Sequence, residues 1–385
     1  MGLSLLAFAL GVGMCIVLAS HRVEMLWRAY LLGVVSCWLV SVGAAGLIAI
    51  GNLTGGRWAA AARPFYLSSM KTIPFVALMF IPLAFALPQI YPWAHAGTKH
   101  AESFSAAKAA YLSAPFFLAR GAGYIGVWMF VAWWLYRVSR LDVPPGRTFR
   151  MRRAGALSLV LLAPTVTFAA FDWVMSLEPH WYSSIFGAVL TAGGVVAAHA
   201  LAVYGMARMP VKLRESIVPS TSDHGGHERH APDVFGDLGN LLLAFIMVWT
   251  YFSFSQFLII WSGNLPSEIA WYELRLHNGW QYVAIAVLVM CFVAPFCNLL
   301  SRDVKQNIWP LAGVAMIVLV GYGLNMYWTI VPAFHPIEAG DHLASVSGLL
   351  AVGGLWSALN SWQLNRVLSS RFRAELEDSN DRNTL

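Results

Sequence analysis

The run AYLLGVVSCWLVSVGAAGLIAI, residues 29–50, contains 22 residues and no charged side chain. A helix rises about 1.5 Å per residue, so this run is long enough to cross the roughly 30 Å hydrocarbon core of a bilayer. The core offers no water to backbone polar groups, and a helix satisfies all of them within one segment. The run therefore predicts a transmembrane helix.

Nine further segments share this apolar character: 3–19, 73–90, 115–136, 154–174, 184–206, 239–262, 280–300, 309–331 and 342–364. Over the whole chain 58% of residues are hydrophobic and 11% are charged, whereas a soluble domain carries roughly 25% charged residues. We therefore predict an all-α polytopic transmembrane protein of about ten helices. The third helix carries Pro74, Pro82 and Pro88 and is expected to be kinked.

The basic residues are distributed unevenly between the two sets of loops. Nineteen of the 25 Lys and Arg residues fall in the even-numbered loops and the C-terminal tail. The loop before the third helix is expected to hold three of them, Arg57, Arg63 and Lys71. Because cytoplasmic loops are enriched in Lys and Arg, we expect both termini in the cytoplasm. The net charge of +6 is spread thinly between apolar runs, which argues against a nucleic-acid partner.

The cysteines and histidines predict that the chain holds no redox cofactor of its own. The four cysteines lie in apolar stretches and form neither CxxC nor CxxCH. A b-type cytochrome needs two histidines on facing helices, yet His199 alone lies deep in a predicted helix. His224, His227 and His230 have a spacing that suits a metal. They lie in a polar loop without a second set of ligands, so no metal site is expected there.

Helix five carries a polar stripe. Ser158, Thr165 and Asp172 are seven residues apart, which places them on one helix face. Such a stripe in an apolar helix suits a proton path or the surroundings of a quinone headgroup. Ser and Thr serve equally well as hydrogen-bonding links between helices, so both interpretations remain open.

Two further ionisable residues lie inside predicted helices. An ionisable side chain near the bilayer centre costs roughly 2.5 kcal/mol or more, so it needs a partner or a function. Arg120 and Asp172 lie at similar depth near the outer side and are expected to form a buried ion pair. His199 lies in the inner half of helix six, where it is either a proton acceptor or a silent hydrogen-bonded residue.

Two outer segments combine many aromatic residues with short polar ones. They are FDWVMSLEPHWYSSIFG, residues 171–187, and YFSFSQFLIIWSGNLPSEIAWY, residues 251–272. Their polar members Glu178, His180 and Gln256 are further candidates for a proton pathway or a quinone-adjacent site. Both segments resemble signature stretches of the F-type membrane subunit of alternative complex III. This bacterial complex transfers electrons from quinol to cytochrome c or another high-potential acceptor, and the subunit is similar to NrfD and polysulfide-reductase membrane subunits.

The resemblance implies a domain organisation. It comprises a first helix and loop (1–28), a four-helix bundle (29–174), a second four-helix bundle (175–331) with a cytoplasmic loop (207–237), and a last helix with a polar tail (332–385).

The resemblance also implies partners and a location in the bacterial inner membrane. Expected partners are a C-type quinone-binding membrane subunit, an iron–sulfur protein, multihaem cytochrome c subunits and a terminal oxidase. Haem c and iron–sulfur clusters belong to those partners, and quinol or menaquinol is the substrate of the complex.

The sequence thus predicts a cofactor-free membrane subunit of a respiratory quinol oxidoreductase, which braces the complex and provides a quinone-adjacent site or a proton pathway. In this hypothesis Asp172, with Thr165 and Ser158 behind it, relays protons through the first bundle, and His199 serves the second. Two alternatives remain: a secondary transporter of a small anion or metabolite, and a purely structural membrane anchor for redox subunits.

Overall fold

A computed structural model describes residues 2–19, 23–95, 104–139, 147–211, 213–214 and 231–383. The long helices are α1 (Gly2–Ala19), α2 (Val23–Thr54), α3 (Arg57–Met70), α4 (Ile73–Phe85), α5 (Ala114–Ser139), α6 (Arg147–Trp173), α7 (Phe186–Ala207), α8 (Ala231–Gly263), α9 (Pro266–Leu276), α10 (Trp280–Leu300), α11 (Ile308–Ile330) and α12 (Ala339–Asn383). Short helical turns lie at Leu87–Ile90, Pro92–Ala94, Ala106–Tyr111, Met175–Leu177, Arg302–Gln306 and Val331–Phe334.

Within these described ranges, nine helical segments are long and apolar enough to cross a membrane, and α1 is a shorter apolar helix. All regular secondary structure in the same ranges is helical. The prediction of an all-α, multi-pass membrane protein is confirmed.

The third span begins earlier than the sequence suggested. It was expected at 73–90, but the candidate span is Arg57–Phe85, formed by α3 and α4 together. Arg57 and Arg63, which were assigned to the preceding loop, lie in helix α3, so their assignment to a loop was wrong. Arg63 has polar partners there, since its Nη2 donates to Asn52 Oδ1 at 3.2 Å and to Ser139 Oγ at 2.7 Å.

Between α3 and α4 the helix is interrupted at Lys71 and Thr72. The Thr72 hydroxyl lies 2.9 Å from the Ser41 hydroxyl of α2, and Trp356 Nε1 donates to both oxygens at 2.9 Å. Lys71 Nζ lies 4.6 Å from the ring centre of Tyr136. Polar groups at an interruption inside a span are stable only with protein partners, which these side chains provide.

Helix α2 is the centre of the molecule, since every residue from 31 to 49 is buried. Its backbone meets that of α7 directly. A Cβ atom added to Gly43 would lie 2.6 Å from the Gly194 carbonyl oxygen, and one added to Gly194 would lie 2.5 Å from the Leu39 carbonyl oxygen. Small residues allow such close contact between membrane helices. The two helices come from different predicted bundles, so the two halves share an interface, and their division at residue 175 stays a prediction.

Successive spans alternate in direction, which gives the molecule two distinct ends. We call one the basic end, where Arg57, Arg302 and Lys305 lie at helix boundaries. The opposite end holds the C-terminal end of α6 with Asp172, and the short helix α9 with Arg275. Which end faces the cytoplasm stays a prediction from the distribution of basic residues.

Candidate functional site: two buried ion pairs at the end opposite the basic end

Asp172 is completely buried, and it forms the predicted ion pair with Arg120. Arg120 Nε donates to Oδ2 and Nη2 donates to Oδ1, both at 2.9 Å. The hydroxyl of Tyr124 donates to Oδ2, also at 2.9 Å. Arg120 and Tyr124 are four residues apart on α5 and therefore share the face that meets α6. We call Arg120, Tyr124 and Asp172 the Asp172 cluster.

The guanidinium group of Arg120 also contacts Tyr111 and Phe116. Nη1 donates to the carbonyl oxygen of Tyr111 at 2.8 Å. The guanidinium carbon lies 3.7 Å from the ring centre of Tyr111 and 4.4 Å from that of Phe116. Burial, and then the negative charge of Asp172, raise the pKa of Tyr111 to about 12, so its hydroxyl stays protonated at neutral pH. The pairing cancels both charges, which limits the cost of placing them among apolar side chains.

The predicted polar stripe, Ser158, Thr165 and Asp172, lies on α6. Only two of its three residues contact α5. Besides the ion pair at Asp172, Trp128 Nε1 donates to the hydroxyl of Thr165 at 3.0 Å. That hydroxyl donates back to the carbonyl oxygen of Leu161 at 2.7 Å. Ser158 is completely buried, and its hydroxyl has no hydrogen-bond partner among the described residues. The stripe thus links α5 to α6, and it forms no continuous chain of hydrogen bonds from Asp172 to Ser158.

An apolar cavity of about 210 Å³ lies beside the Asp172 cluster, between α2, α4 and α5. Gly121 and Trp173, the chain neighbours of Arg120 and Asp172, line it. Two of its lining residues, Ile81 and Leu118, are exposed, so the cavity is open to the surface of the molecule.

Tyr91, which is buried, also lines this cavity. Its hydroxyl donates to the carbonyl oxygen of Trp173 at 3.0 Å. Burial, and then the charge of Asp172, raise the pKa of Tyr91 well above its ordinary value, so this hydroxyl also stays protonated. Trp173 and Tyr91 therefore connect the cavity to the Asp172 cluster.

A second buried ion pair joins Glu178 to Arg275, a basic residue that the apolar pattern places in a loop between two predicted helices. Arg275 is 1% exposed, and its Nη2 lies 2.6 Å from Glu178 Oε1. Its guanidinium group donates to the carbonyl oxygens of Trp271 and Thr329 at 2.9 and 2.8 Å. The guanidinium carbon lies 3.8 Å from the ring centre of Trp271. Burial lowers the pKa of Arg275, and the carboxylate of Glu178 opposes that shift.

The signal that could have identified Arg275 is the helix that carries it. Pro266 starts α9, and a proline at the first helical position is a recognised start signal. Trp271 and Arg275 are four residues apart and form the buried face of this short helix. A charged residue that shares a helix face with a tryptophan needs a buried partner, and Glu178 provides it.

The two segments that carry the family resemblance contact each other. Trp181 of the first stacks on Trp271 of the second, with ring centres 4.9 Å apart. The Ser183 hydroxyl donates to the amide oxygen of Gln256 at 3.2 Å. Gln256 is buried, and its amide nitrogen lies 3.4 Å from the hydroxyl of Tyr272.

His180 lies apart from this contact. It is exposed, and its ring centre lies 5.3 Å from that of Phe104.

His199 lies away from both ion pairs and is completely buried. Its Nε2 lies 2.9 Å from the carbonyl oxygen of Leu238, which can only accept a hydrogen bond, so Nε2 carries the proton. Nδ1 therefore accepts from the hydroxyl of Tyr66, at 2.5 Å. Both ring nitrogens are used, and the neutral imidazole links α7 to α3 and α8.

Among the residues that the structure describes, no group of three or more His, Cys, Asp or Glu side chains could hold a metal ion. The predicted histidine cluster, His224, His227 and His230, lies outside those residues.

Comparison with known proteins gives a partial similarity. No family profile matches the chain. The chain is 26% identical over 239 residues to a protein from Erwinia tasmaniensis described as "Protein TsgA homolog". The match covers 57% of this chain and 55% of that protein, so the chain spans about half the length of the curated relative that it matches. This similarity is too low and too short to show a family.

The arrangement therefore offers two kinds of chemistry at one end of the molecule. The Asp172 cluster places charged and hydroxyl groups next to an apolar cavity that opens on the outer surface, a combination typical of sites for amphiphilic small molecules. The Glu178–Arg275 pair lies under the aromatic contact between the two motif segments and anchors them to α11. Of the predicted site residues, the structure brings Arg120 and Asp172 into direct contact. Thr165 contacts Trp128 on the same helix as Arg120, Glu178 pairs with Arg275, and Gln256 contacts Ser183 and Tyr272. Ser158, His180 and His199 lie elsewhere.

Proposed function

We propose that this chain is a membrane subunit of a respiratory quinol oxidoreductase and that the cavity beside the Asp172 cluster receives the quinol. The observation that carries the proposal is the juxtaposition of an apolar, outward-opening cavity with a buried carboxylate and two tyrosine hydroxyls. A quinol combines a polar headgroup with an apolar tail, so it fits a cavity of this composition. The resemblance of residues 171–187 and 251–272 to alternative complex III supports the same assignment.

The chemistry of quinol oxidation defines what the chain contributes. Oxidation to quinone releases two electrons and two protons. In the proposed assembly the electrons pass to a haem c or iron–sulfur centre of a partner subunit. The residues of this chain bind and orient the headgroup, with Tyr91 in the cavity wall and the Asp172 cluster behind it. The released protons leave through hydrogen-bonding groups at this end of the molecule.

The cavity can be tested by filling it. In the proposed function, Gly121→Leu in the intact complex raises the KM for quinol or abolishes turnover, because the new side chain occupies the cavity. Gly123→Leu is the matched control, since Gly123 lies on the same helix and an added Cβ there meets open space. An assembled Gly121→Leu complex that oxidises quinol with unchanged KM and kcat would remove the cavity from the mechanism.

The charge can be tested separately. Asp172→Asn keeps the shape of the side chain and removes its charge. The proposal expects lower quinol:cytochrome c activity in the assembled complex. Unchanged activity, and unchanged proton release, would leave Asp172 with a structural role only. If both Gly121→Leu and Asp172→Asn are silent, the chain acts as a membrane anchor.

A second candidate function is the transport of a small solute. The observation that favours it is the interruption at Lys71 and Thr72, where the hydroxyls of Thr72 and Ser41 lie 2.9 Å apart inside a candidate span and a cationic residue is next in the chain. Interrupted helices of this kind form substrate sites in transporters. Purification distinguishes the two functions. A stable assembly that contains haem c and iron–sulfur proteins supports the first, and a lone chain that moves solute into vesicles supports the second.

A further inference from the structure

The basic end contains a polar cavity that takes no part in the proposed quinol chemistry. It has a volume of about 350 Å³ and lies between the start of α3, the first turns of α8 and the short helix Arg302–Gln306. The side chains that give it its character are Arg57, Asp237, Asn240, Arg302 and Lys305.

The charges around this cavity do not balance. Arg57 Nη2 lies 3.1 Å from Asp237 Oδ2, so this pair is neutral overall. Lys305 Nζ donates to Asn240 Oδ1 at 2.8 Å, and an amide oxygen brings no negative charge. Arg302 adds a further positive charge in the cavity wall. The lining therefore carries two positive charges in excess, which favours an anion.

The absence of a side chain at Gly239 of α8 leaves room for Lys305. A Cβ atom on Gly239 would lie 2.8 Å from Lys305 Cγ. Because Gly239 lacks that atom, the stem of Lys305 rests against α8, and its ammonium group reaches the cavity. A larger residue at position 239 would displace this cation.

The cavity lies at the depth of lipid headgroups. Arg302 and Lys305 lie between Leu300, the last residue of one span, and the first residue of the next. Leu300 and Trp309, which flank them, are 61% and 60% exposed. Exposed apolar and tryptophan side chains at helix ends are typical of the membrane–water interface. An anion that reaches this cavity therefore comes most directly from the lipid surface.

We infer that this cavity binds the phosphate of an anionic phospholipid. Basic pockets between membrane helices are suited to such headgroups. Arginine and lysine both donate to phosphate oxygens, and the guanidinium group does so with two parallel hydrogen bonds. The excess charge selects a lipid with net negative charge, such as phosphatidylglycerol or cardiolipin, over zwitterionic phosphatidylcholine.

The test is lipid-dependent thermal stability of the purified full chain in detergent. Phosphatidylglycerol is expected to raise the Tm with an apparent affinity that falls as salt increases. Each cation near the surface of an anionic membrane raises the affinity for it about fivefold. Replacing two cations, in Arg302→Gln with Lys305→Gln, should therefore weaken the apparent affinity for phosphatidylglycerol by roughly 25-fold. The matched control is Arg208→Gln, which removes an exposed cation that does not line the cavity.

Three results would overturn the inference. They are equal affinity in the double variant and the control, equal stabilisation by phosphatidylcholine, and equal stabilisation by inorganic phosphate at the same concentration. The last result would assign the cavity to a free anion. If the double variant does not fold, the salt dependence of lipid stabilisation in the unmodified chain still tests the inference. Stabilisation by phosphatidylglycerol that is the same at about 0.05 M and 0.5 M salt contradicts an electrostatic site.

Discussion

At the scale of single residues, Arg275 is a charged side chain that is almost completely buried, so it needs polar partners within the protein. A guanidinium group that is 1% exposed has exchanged water for Glu178, two carbonyl oxygens and the face of Trp271. Removing one member of a buried pair leaves the other charge uncompensated, and that loss exceeds the net contribution of the intact pair. The carboxylate of Glu178 therefore permits the burial of Arg275 more than it adds stability of its own.

We predict that Glu178→Gln lowers the free energy of unfolding by about 3 kcal/mol. The double variant Glu178→Gln with Arg275→Met should recover part of this loss, because it removes the stranded charge and keeps much of the volume. Unfolding in mixed detergent micelles measures both. Glu273→Gln, on the exposed face of the same helix, is the control. Equal stability of Glu178→Gln and this control would show that Arg275 does not need the carboxylate.

The imidazole of His199 gives a second prediction at this scale. Tyr66→Phe removes the donor to Nδ1 and leaves a buried acceptor unsatisfied, which costs about 1–2 kcal/mol of unfolding free energy. Tyr204→Phe, on the same helix as His199, serves as the control. Nitrogen NMR on the labelled histidine should show the proton on Nε2. A proton on Nδ1 would contradict the hydrogen-bond assignment.

Two residues show how far sequence could reach. The pairing of Arg120 with Asp172 was predictable, because neighbouring antiparallel helices place residues at equal distance from their shared end at equal depth. Arg275 was not predicted, because a charge between two spans has the same sequence signature whether its helix is solvated or buried. Only the packing of α9 against Thr329 of α11 distinguishes the two cases.

At the scale of elements, the thickness and polarity of the bilayer were enough to predict where the spans lie. The start of the third span is the exception. The apolar runs had to be helical and about 20 residues long, and the described helices agree. The third span was placed too late, because arginine is a reliable loop marker only when it lies in water. Arg63 instead finds Asn52 and Ser139 within the protein. A lipid-based rule cannot anticipate partners that come from other helices.

The contact between α2 and α7 provides the prediction at this scale. Gly194→Ala would place a methyl group 2.5 Å from the Leu39 carbonyl oxygen, so two helix backbones must separate. Overpacking of this kind costs about 1–3 kcal/mol. Gly46→Ala is the matched control, because a Cβ there meets nothing within 4 Å. It should be neutral or slightly stabilising, since alanine favours the helix. Equal unfolding free energies for the two variants would contradict direct backbone contact.

At the scale of the whole molecule, charge divides the protein into two chemically distinct ends. The basic end carries the polar cavity with its excess positive charge, and the opposite end carries the two neutralised ion pairs and the apolar cavity. If basic residues mark the cytoplasmic side, the proposed quinol site lies near the outer leaflet. Electrons would then leave toward partner subunits on the outer surface, and the lipid phosphate site would face the cytoplasm.

This orientation can be measured with single cysteines in a variant whose four native cysteines are replaced. Glu273→Cys lies on the exposed face of α9, and Asp303→Cys lies exposed at the basic end. A membrane-impermeant maleimide added to spheroplasts should label Glu273→Cys at once, and Asp303→Cys only after the membrane is opened. The reverse pattern would invert the molecule and place the quinol cavity at the cytoplasmic leaflet. Labelling of both positions from one side would require an even number of crossings between them, whereas the single span α10 separates them here. That result would therefore show that α10 does not cross the membrane.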